Sequence, residues 1–109
     1  MELQNYTRAM EIFRHASSMD PGNSYIYYKI GRRYLQLKNY KLAIERFSQA
    51  VELEPDFADA YYRWGVCLEN LGRKEEALVK FKKTVDILPN HYDGLIKLNK
   101  YKTNKNEKK

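Results

Sequence analysis

The sequence predicts an all-α fold of stacked helical hairpins, and three observations carry that prediction. The pentapeptide "YYKIG" at residues 27–31 returns as "YYRWG" at 61–65, a period of 34. Apolar residues within each copy recur at i, i+3, i+4 and i+7, the spacing of one helix face. Each copy closes on a proline at the same place, Pro55 and then Pro89. A hairpin of this size cannot bury its apolar face alone, so copies must stack to share a core.

Length and composition agree. A chain of 109 residues, 43% hydrophobic and 14% aromatic, supports one modest folded domain, with 31% charged residues to solvate it. The single cysteine, Cys67, has no partner for an internal disulfide, and the opening "MELQNYTRAM" lacks the regions of a signal peptide. A cytoplasmic protein is expected. The formal net charge is +6. Six lysines against Asp93 and Glu107 give residues 92–109 a net of +4, so +2 is left upstream. The excess lies mostly in "NKYKTNKNEKK", whose end, 103–109, reads as a basic polar tail.

In chain order, "AMEIFRHASSMDPGN" places Ala9, Phe13, Ala16 and Pro21 at the spacing of Ala43, Phe47, Ala50 and Pro55. Residues 1–23 are therefore expected to supply a second-type helix only. Residues 24–57 form a full unit: Tyr27, Ile30, Gly31 and Tyr34 face one way on a first helix. After a turn at "LKNYK", Tyr40, Ala43, Ile44, Phe47 and Val51 do so on a second. Residues 58–91 repeat the unit with eight identities: Tyr61, Tyr62, Gly65, Leu71, Ala77, Phe81, Val85 and Pro89. "LGRKE" makes the turn here, while "EPDF" and "LPNH" end the second helices, since proline disfavours helical geometry in the residue before it. "YDGLIKLNKYK" adds a last first-type helix over 92–102, with Asn99 where glycine is expected. About six helices follow, in the order B, AB, AB, A, as a single domain over 1–102. Glycine costs a helix about 1 kcal/mol relative to alanine, so Gly31 and Gly65 inside apolar faces predict close backbone approach, opposite Ala43 or Ala77 and beside Phe47 or Phe81.

The pattern resembles the tetratricopeptide repeat. Its signature roles fall on Tyr27, Ile30, Gly31, Tyr34, Ala43, Phe47, Ala50 and Pro55, then on Tyr61, Trp64, Gly65, Leu68, Ala77, Phe81 and Pro89, with Thr84 where the family prefers alanine. The resemblance implies a right-handed α-α superhelix whose first-type helices line a concave groove. It also implies a protein-interaction scaffold rather than an enzyme.

Catalytic and metal constellations are not expected. The two histidines stand far apart, Cys67 reads as a packed thiol, and Glu75 and Glu76 suit a helix N-terminus. No cofactor or metal is expected, and no membrane segment. Transposed onto the first-type helices, the family's groove takes Tyr25, Tyr28, Lys29, Arg32 and Gln36, then Tyr62, Arg63, Val66 and Asn70, then Ile96, Lys97 and Lys100. One position is basic in every copy, Lys29, Arg63 and Lys97. With the neighbouring tyrosines these offer flat apolar area and cationic donors for an extended acidic peptide, at micromolar affinity.

Some family members hold a chaperone's C-terminal carboxylate in a clamp of lysines, asparagines and an arginine. Here Tyr28, Arg32, Arg63 and Asp93 replace four of those residues and only Lys97 is compatible, which argues against that ligand. Two alternatives remain. Tyr6, Met10 and Phe13 on the leading half unit form an edge for self-association or assembly into a larger array. Single-stranded RNA binding is disfavoured by Asp59, Glu69 and Asp93 beside the groove.

Overall fold

A computed structural model describes the backbone of residues 2–107 and the side chains of residues 7–102. Six α-helices and no strand occur among them: α1 (Glu2–Met19), α2 (Ser24–Gln36), α3 (Tyr40–Leu53), α4 (Ala58–Asn70), α5 (Lys74–Ile87) and α6 (Tyr92–Glu107). The chain divides into two compact units, Met1–Pro55 and Asp56–Lys109. The first holds helices of type B, A, B and the second A, B, A. The backbone of α6 continues to Glu107, beyond the residue 102 at which the sequence ends that helix.

In the first unit α2 and α3 form the central hairpin and α1 packs on α2. The side chain of Asn23 caps α2 by accepting from the Tyr25 N–H (3.1 Å), and that of Asn39 caps α3 from the Leu42 N–H (3.4 Å). The α2–α3 turn closes when the Lys38 N–H donates to the Leu35 carbonyl and the Asn39 N–H to the Tyr34 carbonyl, both at 2.9 Å. That geometry puts Lys38 in the left-handed region, φ 62°. Gly31 meets the ring of Phe47: a β-carbon built there would lie 2.6 Å from Phe47 Cε1. Ala43, Phe47 and Ala50 are fully buried.

The second unit repeats this hairpin with α4 and α5. At Gly65 a β-carbon would lie 2.5 Å from Phe81 Cε1, and Ala77, Phe81, Cys67 and Thr84 are fully buried. Thr84, where the first hairpin has Ala50, satisfies its hydroxyl by donating to the Lys80 carbonyl at 2.9 Å. Its turn is closed by the same two bonds, Gly72 N–H to the Glu69 carbonyl and Arg73 N–H to the Leu68 carbonyl, with Gly72 at φ 79°. Helix α6 packs on α5. His91 starts α6: its Nδ1 accepts from the Gly94 N–H (3.0 Å), which leaves Nε2 to donate to Asp59 Oδ1 at 2.7 Å.

Candidate interaction surface

The twelve groove residues expected from the sequence are placed unevenly. In the first unit, Lys29, Arg32 and Gln36 line a shallow hollow of about 160 Å³ with Arg33 and Phe13. Tyr25 is 53% exposed beside it, with Lys29 Nζ 5.3 Å from its ring centre. Tyr28 is a correction: at 6% exposure it is core, because its ring leans on Phe47 at 5.8 Å. Of the two tyrosines expected in the groove on this helix, Tyr25 is therefore the one that offers flat aromatic area.

In the second unit, Val66, Asn70, Lys97 and Lys100 line a hollow of about 360 Å³, joined by Glu69, Lys74 and Tyr101. Tyr62 is half-buried, its ring 5.7 Å from Phe81 and 5.3 Å from His91. Burial, then the negative charge of Asp93, raises its phenol pKa. Arg63 lies over the Tyr62 ring at 5.8 Å, with its Nε buried and unpaired. Ile96 is exposed but lies outside the hollow's lining.

Lys97 is not a free cation. Its Nζ sits 2.7 Å from Glu69 Oε1, and the Tyr101 hydroxyl donates to Glu69 Oε2 at 2.6 Å. Glu69 is only 14% exposed at its side chain, so both contacts compensate a carboxylate withdrawn from water. Burial and that carboxylate together push the Tyr101 phenol pKa up. The one residue compatible with the carboxylate clamp is thus already engaged. Arg33, Lys74 and Tyr101 were missed by sequence reasoning. Arg33 stands one step around the helix from Arg32, and Lys74 and Tyr101 enter from α5 and α6.

The expected assembly edge is corrected at Met10, which is 3% exposed. It lies on a helix that packs against α2, so its thioether is covered within the first unit. Phe13 is half-buried and floors the hollow described above. The Tyr6 side chain and the tail side chains of 103–109 lie outside the described residues. Cys67 is buried and its thiol is pushed up to about 12 by desolvation. Among the described residues there is no group of three or more His, Cys, Asp or Glu positioned to hold a metal ion. No helix among them is long and apolar enough to cross a membrane.

Two glycine-locked hairpins, flanked by a second-type helix at one end and a first-type helix at the other, define a helical-repeat protein of 34-residue hairpins. Sequence comparison agrees: a family model described as tetratricopeptide repeat matches residues 28–92, and another of the same description matches residues 1–23. The chain belongs to the tetratricopeptide repeat family.

No curated protein matches it by sequence. Among solved structures it superposes on MamA with a TM-score of 0.84 at 23% identity, over 97% of this chain and 62% of that one. It thus spans less than two thirds of that protein, and 47% of a second MamA chain. The first such domain of Spaghetti (RPAP3), bound to the HSP90 peptide SRMEEVD, gives a TM-score of 0.84 at 24% identity, over 94% of this chain and 81% of that one. The second domain of human RPAP3, in complex with the HSP70 peptide SGPTIEEVD, gives 0.82 at 25% identity, over 93% and 84%.

Proposed function

We propose that this chain is a non-catalytic interaction scaffold that holds an extended, acidic segment of a partner protein against the first-type helices of its second unit. The observation that carries this reading is the hollow of the second unit. Lys74, Lys97 and Lys100 surround Val66 and Asn70, while the one carboxylate in the wall, Glu69, is spent on Lys97 and Tyr101. The surplus positive charge favours carboxylates, and Val66 gives an apolar contact beside them. The peptide held by the human RPAP3 domain, SGPTIEEVD, is acidic at its end, which supports the ligand class. With Lys97 occupied and the other clamp positions changed, the ligand is an acidic stretch rather than a terminal carboxylate.

The test is a peptide array of acidic segments probed with the native chain and with Lys74→Ala/Lys100→Ala. Both lysines are exposed, so the fold is kept. Capture by the variant is expected to drop at least tenfold; equal capture would sink the reading. Self-association is a second reading, favoured by Ile12 and Met19 on α1, 62% and 74% exposed. Sedimentation that stays monomeric at high concentration rejects it.

A further inference from the structure

The first unit carries a notch that the acidic-segment reading of the second unit does not use. Its floor is Phe13 of α1, with Ala9 and Ala16 one helical turn to either side along that helix. Ala9, Phe13 and Ala16 are half-buried, whereas their counterparts Ala43, Phe47 and Ala50, and Ala77 and Phe81, are fully buried under a first-type helix of their own hairpin. Its wall comes from α2, where Lys29, Arg32, Arg33 and Gln36 fall at i, i+3, i+4 and i+7 and so form one continuous stripe. An apolar helix face and a cationic helix face thus converge on the hollow at Phe13. None of the three cations makes an ion pair among the described residues, and no carboxylate lines the hollow.

We infer that this notch docks an acidic amphipathic helix of a partner protein, with one large apolar side chain on Phe13 and carboxylates along Lys29, Arg32 and Arg33. Small residues on either side of Phe13 allow helix axes to approach to ~8–10 Å. In the two hairpins the counterpart of Phe13, Phe47 or Phe81, is covered by a helix that meets its ring at Gly31 or Gly65, so a helix is the element that fits over Phe13, as in helix-in-groove recognition. Charge selects against a second copy as the occupant. The first-type helix α6 carries Lys97, Lys100 and Lys102, and the whole chain is +6. Placing α6 in the notch would bring like charges together.

The experiment titrates the 109-residue chain, labelled for amide NMR, with a synthetic 18-residue helix carrying a leucine stripe beside a glutamate stripe. A control peptide has every glutamate replaced by lysine. Expected are shifts centred on Phe13, Lys29, Arg32 and Arg33, none with the control, and at least tenfold weaker binding in Arg32→Ala/Arg33→Ala. Those arginines are exposed, and an unchanged thermal melt verifies the fold. Phe13→Ala, with all charges intact, is expected to weaken binding as well. The inference is overturned by equal binding of the lysine peptide, by absence of shifts at millimolar peptide, or by a concentration-dependent dimer that Arg32→Ala/Arg33→Ala abolishes. Shifts confined to Val66, Lys97 and Lys100 also overturn it, and would leave the second unit's hollow standing as the acidic site.

Discussion

A methyl group on Gly65 would stand 2.5 Å from Phe81 Cε1, and Phe81 is fully buried with nowhere to turn. Gly65→Leu therefore overpacks the helix contact and is expected to destabilise by ~1–3 kcal/mol, read from urea melts; an unchanged midpoint would contradict the close-packing account. Lys38 and Gly72 occupy the same turn position, but only Gly72 suits its positive φ. Lys38→Gly removes the β-carbon clash of the left-handed conformation at some cost in unfolded-state entropy. Stabilisation of ~0.5–1 kcal/mol is expected, and Gly72→Lys should shift the melt the opposite way.

Cys67 links packing to pH. Its folded pKa, near 12, lies above that of a free thiol, so its contribution is intact below about pH 9 and is lost as pH rises from there toward 12. Between pH 9 and 10 the loss is at most about 1.4 kcal/mol from this group. Stability of Cys67→Ala, compared with native at pH 8 and 10, should decline less steeply; parallel declines would remove the thiol as a cause.

The elements are joined by polar contacts that no single helix contains. Glu69 of α4 is held by Lys97 and Tyr101 of α6, and Asp59 of α4 by His91 at the start of α6. Lys97→Ala leaves the mostly buried Glu69 with one partner. A cost of ~1–3 kcal/mol is expected, and Glu69→Gln/Lys97→Ala should recover part of it in a double-mutant cycle. Additive losses in that cycle would mean that the pair is not coupled. The hairpins themselves were legible from the sequence: the turns at 37–39 and 71–73, the helix ends before Pro55 and Pro89, and the glycine–phenylalanine contacts all follow from local spacing. Spacing along the chain placed Tyr28 and Lys97 on the groove side but did not reveal what each engages elsewhere in its unit, Phe47 for the buried Tyr28 and Glu69 for Lys97, which still lines the hollow.

At the level of the whole molecule, the proposed binding of an acidic segment makes the net charge of +6 a determinant of association rate. Acidic peptides should bind more weakly as salt rises from 50 to 300 mM, chiefly through a slower association rate, because exposed lysines and arginines are screened within ~10 Å at about 0.1 M ionic strength. Salt-independent association kinetics would count against electrostatic selection.

The sequence by itself determined the helical hairpins, their period and the points where backbones touch, because those rest on residue size and on spacing along one helix. Only the tertiary structure decided which charges are spent inside and which are left exposed. An ion pair such as Glu69 with Lys97 joins residues 28 positions apart, and whether a lysine is free depends on what the neighbouring helix brings beside it.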